Sequence, residues 1–298
     1  MAVTSNGAIG GSADSEIAVQ FALPAPDLRR FISGYHCYTL NYPPGHVHDD
    51  LFYPAWANIR FYDSPIDWRV TIGQQAFVVP KAALFGPTSR SSASRSGGGC
   101  LIGAGLTPLG WARLVRADAA DYADRIVPLG EAMADADAIA AAVLGAGSME
   151  AAAPLMDAWF LAHLGPATRH DARIAAMHAL LAEAPPISVN QAAAELGLHP
   201  RAFLRLALAA FGFRPKLLLR RARFVRTLTK LEEMPEASWL DVLDLGYHDQ
   251  SHFIRDSHEF LDMAPGDFLR LPRPINAAST RIRRAMLGQP AQALHRPE

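Results

Sequence analysis

The chain is 298 residues long, half of them hydrophobic, with a formal net charge of −1. That length suggests two domains with real cores, and no apolar run approaches the roughly 18 residues needed to cross a membrane. Two cysteines, Cys37 and Cys100, are too few for a disulfide framework or a Cys-rich zinc cluster, which fits a reduced, cytoplasmic setting.

Residues 1–16, rich in Gly, Ser and Ala, read as a disordered leader without the basic and apolar regions of a secretory signal. From 17 to 182 the fold class is read as β-rich. The runs IAVQFAL, YHCYTLNY, WANIRFY, WRVTIG, QAFVVP and CLIGAGL are dominated by aromatic and β-branched residues and separated by Pro and Gly. That pattern predicts a β-sandwich or barrel. Pro26 to Ile32 interrupts it as one helical turn, and TSRSSASRSGGG, residues 88–99, reads as a polar loop. After Pro108 the pattern turns helical over GWARLVRADAADYADRI, then 131–145, then 150–164.

Three features of this half invite a chemical reading. His46 and His48 have the spacing of two metal ligands on one strand face, but the Glu and third His of a cupin site are lacking, so loop histidines are the favoured reading and no metal is expected. Cys37 and Cys100 sit in apolar, strand-like context and read as buried structural thiols rather than reactive ones. Tyr35, Tyr38, Trp56, Phe61, Tyr62 and Trp68 could line an effector pocket, although aromatics in a small β domain more commonly form core. No nucleophile elbow, Walker loop, dinucleotide fingerprint or HExxH is present. No enzymatic activity and no cofactor are expected, and the effector-binding residues stay open.

The stretch from Ser188 to Lys230 organises the rest. It reads as a short helix, a turn at Gly197, a second helix opening at Pro200, a break from Gly212 to Pro215, and a long basic helix. Ala193 is small where two helices must approach, Gly197 can take positive φ, and Pro200 suits a first helical turn. The pattern recurs. Leu196-Gly197-Leu198-His199 returns as Leu245-Gly246-Tyr247-His248, and Phe203, Arg205 and Pro215 return as Phe253, Arg255 and Pro265. A register kept across a turn, an aromatic, an arginine and a proline predicts a doubled helix-turn-helix. Between Arg201 and Lys230 there are nine Lys and Arg and no acidic residue, so the near-neutral total hides a local phosphate-binding charge.

These residues, 185–272 in all, resemble the DNA-binding domain of AraC/XylS-type transcriptional regulators, whose signature includes GYHDQSHFIRD and the closing proline. The resemblance implies an all-α domain of two helix-turn-helix units joined by one long helix. Its two recognition helices enter successive major grooves about 34 Å apart. Carried over residue by residue, it implies base contacts from Arg201, Leu204 and Arg205 in the first unit. In the second it implies them from Gln250, Ser251, Ile254 and Arg255. Lys216, Arg220 and Arg223 of the connecting helix, with His252, are implied to meet phosphates. Two departures stand out: Leu206 to Ala210 is apolar where polar or basic residues are common, and Val242 stands where the first copy has Ala193. Asp249 is a natural N-cap, and Asp262 replaces a terminating glycine. The segment 273–298 is predicted to be disordered.

The N-terminal half is similar, more loosely, to the sensor-type domain of one subgroup of the same regulators, through PAPDLRRFISGYHCYTL, FGPTSR and LIGAGLTPLGWARLVRADAADYADRIVPL. The expectation is thus an α+β multidomain, sequence-specific transcription regulator of the cytoplasm. Its partners are double-stranded DNA, a small-molecule effector, a second copy in a homodimer and RNA polymerase, with no membrane. Two alternatives stay open: a ligand-independent DNA binder whose N-terminal half only dimerises, and a cupin-like metal enzyme fused to a DNA-binding domain.

Overall fold

The computed structural model describes residues 16–183, 187–234, 243, 246–247 and 249–296. The N-terminal part holds β1 (Ile17–Ala22), β2 (Ile32–Leu40), β3 (His48–Phe52), β4 (Asn58–Asp63), β5 (Arg69–Ile72), β6 (Gln75–Val78), β7 (Ala82–Phe85), β8 (Ser92–Ser96), β9 (Gly99–Leu106) and β10 (Ile126–Pro128). They pair antiparallel in two sheets, ordered β1-β2-β9-β4-β7-β10 and β3-β8-β5-β6. The sandwich-like expectation is met by this pair of sheets.

Side chains alternate across a strand, and β2 and β4 use both faces. Tyr35, Cys37, Ile59 and Phe61 join a core shared with the helices. Tyr38 and Tyr62 point the other way, packing with Trp68, Val70 and Ile72 of the smaller sheet. His36 and Arg60 share that second face and line a cavity there.

Two expectations for this half are corrected. The supposed polar loop at 88–99 contains β8. Its serines belong on a strand because Ser94 and Ser96 are buried, and Ser94 Oγ accepts from Trp68 Nε1 at 2.8 Å. The long helix expected after Pro108 is also absent. A short α1 (Pro108–Gly110) runs into a π-helical turn, Trp111–Val115, which Arg116 ends in the left-handed conformation at φ 59°. The chain then enters β10. Further on, α2 (Ala136–Gly145), α3 (Met149–His163) and α4 (Asp171–Glu183) follow, with α2 and α3 packed on the large sheet.

The C-terminal part is helical: α5 (Val189–Glu195), α6 (Pro200–Phe211), α7 (Pro215–Glu233), α8 (Gln250–Leu261), α9 (Pro265–Arg270) and α10 (Pro274–Leu287). Its core is continuous with that of the N-terminal part, since Ala192, Phe203, Ala207, Phe211 and Leu218 cluster with Trp56, Leu114 and Met177. Gly212, at φ 83°, lets the chain pass close by: a Cβ there would stand 2.6 Å from Pro87.

The tail expected to be disordered is α10 and a short 3-10 turn, Gln292–Leu294. Ile275 and Ile282, seven residues apart, form an apolar stripe buried between the sheets with Met286 beside them. Asp50 caps the helix, accepting from Ile275 N at 2.8 Å. Gln292 anchors the end: it donates to the Ala57 carbonyl and accepts from Asn58 Nδ2, both at 3.1 Å. The signal was lost on the sequence because these partners lie more than 200 residues away.

Candidate nucleic-acid interface

The first unit is built as its sequence dictates. Ser188 and Gln191 form a reciprocal capping box at the start of α5, which satisfies two amides that a helix start leaves unpaired. Gly197 turns the chain at φ 61°. The His199 ring then accepts from Arg201 N at 3.2 Å and opens α6. Ala193 and Phe203 are buried between the two helices. Arg201 and Arg205, four apart and therefore on one face, are exposed, while Leu204 is half-buried.

The apolar departure along α6 has a structural cause. Leu206, Ala207, Ala210 and Phe211 are buried because this helix docks on the N-terminal part, next to the turn at Ala119–Asp121. Small alanines allow that approach. Arg205 lines a groove of about 840 Å³ whose far wall carries Arg116, Arg169, His170 and Arg173.

In the second unit the stretch expected to form the first helix, with Val242, lies outside the described residues. Asp249 caps α8, accepting from His252 N at 2.7 Å. Gln250, Ser251 and Arg255 are exposed, Ile254 and His252 are half-buried, and Phe253 is core. Asp262 ends α8 in the left-handed conformation at φ 63°, which Asp tolerates better than most residues. Arg205 and Arg255 thus hold the same exposed position in the two units, although α6 is docked on the N-terminal part and α8 on α7.

Arg220 and Arg223, expected to meet phosphates, are engaged inside the protein. Asp256, fully buried on α8, receives Arg220 Nη2 on one oxygen at 2.5 Å and Arg223 Nη2 on the other at 3.3 Å. It also accepts from the Tyr247 hydroxyl at 2.9 Å. Arg220 binds Glu259 as well, at 2.6 Å, and Arg223 donates to the Gly246 carbonyl and covers the Tyr247 ring. Burial works against the Arg220 charge, but its bonds to Glu259 and Asp256 outweigh that and raise its pKa. A buried carboxylate needs such partners. This network fixes α8 to α7, and Asp256 was not singled out from sequence because its role is visible only once α7 faces it. Lys216 is exposed. With Arg220, Arg223, Arg226, His252 and Arg255 it lines a basic groove of about 760 Å³ between the units.

The N-terminal candidates separate. His46 packs tilted on Tyr42 at 4.3 Å and His48 stacks on the same ring at 5.5 Å, and His48 contacts Asp50 at 3.4 Å. No group of three metal-ligating side chains gathers among the described residues. Cys37 and Cys100 come within 4.0 Å as free thiols on neighbouring strands, a meeting the sequence did not announce. Tyr35 and Phe61 are core. Tyr38 and Trp56 line a cavity of about 90 Å³, and Tyr62 and Trp68 line a smaller one beside it.

Residues 192–271 match the family described as "Helix-turn-helix domain". No curated protein matches the sequence. Among solved structures, ToxT from Vibrio cholerae O395, bound to a methylnaphthalenyl butenoic acid, aligns at a TM-score of 0.43 and 11% identity. The match covers 75% of this chain and 98% of that one. ToxT from Vibrio cholerae strain SCE256, bound to an unsaturated fatty acid, aligns at 0.43 and 10% identity over 75% and 93% of the two chains. The AraC-like transcriptional activator CuxR aligns at 0.29 and 13%, over 73% and 83%.

Proposed function

We propose that this chain is a sequence-specific DNA-binding transcription regulator, a reading supported by the helix-turn-helix domain matched at residues 192–271, and that it acts in a specific way. Both recognition helices read bases in successive major grooves, and the N-terminal domain binds a small effector that alters how they are presented. The observation that carries the reading is the matched exposure of Arg201 and Arg205 on α6 and of Gln250, Ser251 and Arg255 on α8, each set over a buried phenylalanine. Arginine grips guanine O6 and N7 with two hydrogen bonds, and Gln pairs with adenine N6 and N7. Leu204 and Ile254, half-buried beside them, supply apolar contact to thymine methyls.

Lys216 meets phosphate, while Arg220 and Arg223 act chiefly by holding α8 in place. His252 contacts the backbone only at the rim of the basic groove. Effector coupling follows from linkage: a ligand that binds one arrangement of the two domains better shifts the population toward it. The reading includes no catalytic step. The working unit is a homodimer in the cytoplasm that engages RNA polymerase from the promoter.

Selection of bound duplexes from a randomised pool tests the reading. The purified chain should enrich a motif of two half-sites about 10 base pairs apart, and Arg205→Ala/Arg255→Ala should lose it. Enrichment without a motif would contradict base reading.

A further inference from the structure

We infer that the space between the two sheets is a binding site for a small organic carboxylate, gripped by Arg60 of β4 and Arg283 of α10. The inference deepens the effector role proposed above and rests on it.

An arginine side chain does not shed its proton in a protein, and an ionised group taken out of water needs a counter-charge. Arg60 makes no hydrogen bond or ion pair among the described residues, and its Nε is buried without a partner. Its guanidinium lies over the faces of Phe85 at 4.5 Å, Trp68 at 5.6 Å and Phe52 at 5.9 Å. Arg283 is also buried, its Nε unpartnered, and among the described residues its one hydrogen bond is with the His295 ring at 3.4 Å. Both arginines line the same cavity of about 90 Å³, several times the roughly 10–15 Å³ that one water requires.

The other titratable groups supply no anion. His36, in the cavity wall, has its pKa driven down by burial and by both arginines, so it stays neutral. The Tyr38 hydroxyl bonds Ser279 at 3.0 Å, and burial raises its pKa. His295 is held neutral by burial and by Arg283, with its pKa near 3. Asp50 is occupied: its oxygens accept from the amides of Leu51, Ile275 and Asn276 and contact His48. Two cations therefore face one small space that lacks a free anion among the described residues. Elsewhere the protein pairs its buried carboxylate Asp256 with two arginines, and the absence of such pairing here points to a ligand.

The walls select the class. Phe21, Phe52, Trp56 and Phe85 line the same cavity, so a carboxylate with an apolar body fits, whereas a bare inorganic anion would leave those faces unfilled. Position adds a consequence. Arg283 belongs to α10, which follows the DNA-reading helices directly and returns to close the sandwich. A carboxylate bridging Arg60 and Arg283 would tie the end of the reader to the sensor.

Calorimetric titration of the full chain without DNA tests the site and keeps its outcome separate from DNA reading. The probes are butyrate, hexanoate and benzoate, their neutral amides, and inorganic phosphate. One equivalent of at least one acid should bind per chain, with its amide at least tenfold weaker. Arg60→Gln and Arg283→Gln, each checked for an unchanged thermal transition, should lose that binding at least tenfold. Arg60→Lys should retain part of it. Equal binding of acid and amide, preferential binding of phosphate, or no binding by any acid would overturn the assignment. So would full affinity in folded Arg60→Gln, or, should that variant not fold, in Arg283→Gln.

Discussion

The guanidinium carbon of Arg221, on α7, lies 4.1 Å from the centre of the Trp56 ring in the N-terminal domain. Arg221 is buried. It donates to the Thr88 carbonyl at 2.6 Å and to the Ala55 carbonyl at 3.4 Å, while Trp56 also meets Phe211 edge-on at 5.5 Å. Helix α7 is thus plugged into the N-terminal domain by a cation. Any shift of the strand-end loop at Trp56 is felt by α7.

That contact can be weighed. Charged hydrogen bonds contribute about 1.5–3 kcal/mol and a desolvated cation–π contact about 2. Arg221→Ala should therefore destabilise the chain by roughly 3.5–5 kcal/mol in urea unfolding. A loss below about 1 kcal/mol would mean the docked arrangement is not the one populated in solution.

The cations of the connecting helix should divide into two kinds. Arg223→Ala breaks the network around buried Asp256 and should cost about 2–3 kcal/mol of stability, with the salt dependence of DNA binding unchanged. Lys216→Ala, at an exposed position, should leave stability alone and reduce the slope of log affinity against log salt by about one. Both are read from denaturation curves and binding titrations at several salt concentrations.

Acid should loosen the domain junction. His178 faces Trp56 edge-on and lies 6.1 Å from His295. Burial lowers both imidazoles to a pKa of about 3. In the unfolded chain they titrate near 6.5, so between these values the unfolded state binds more protons. Stability is then fully present above about pH 6.5 and falls as the pH drops toward 3. Melting temperatures from pH 7 to pH 5 should decline, and His178→Phe should flatten that decline by about one proton's worth.

The C-terminal strap should be releasable by one side chain. Asp50→Ala removes the acceptor of the Ile275 and Asn276 amides, at a cost of about 1–2 kcal/mol. Limited proteolysis should then cut α10 faster than in the unaltered chain, with the helix-turn-helix units still intact.

How much of this was legible follows from the range of the signals. The first helix-turn-helix unit was readable because its cues are local: Gly197 at the turn, Pro200 at a helix start, Phe203 three residues on. The strands β2 and β4 were readable for the same reason, from their runs of aromatic and β-branched residues. Strand β8 was missed because serines look like loop until Trp68 is seen to bond Ser94. The tail was missed because its cap, Asp50, and its anchor, Asn58, lie at the other end of the chain. The engagement of Arg220 and Arg223 escaped notice for a related reason. A basic helix face looks the same in sequence whether phosphate or Asp256 receives it.

The central claim is that two readers on one connecting helix address one face of DNA. Inserting five base pairs between the half-sites of the selected motif turns the second half-site to the opposite face, and measuring affinity for the original and lengthened sites tests that directly. The account predicts that the insertion lowers affinity to the level of unrelated DNA, and that ten inserted pairs do not restore it, since one chain cannot span them. Unchanged affinity with five inserted pairs would contradict the account and leave a single unit as the reader.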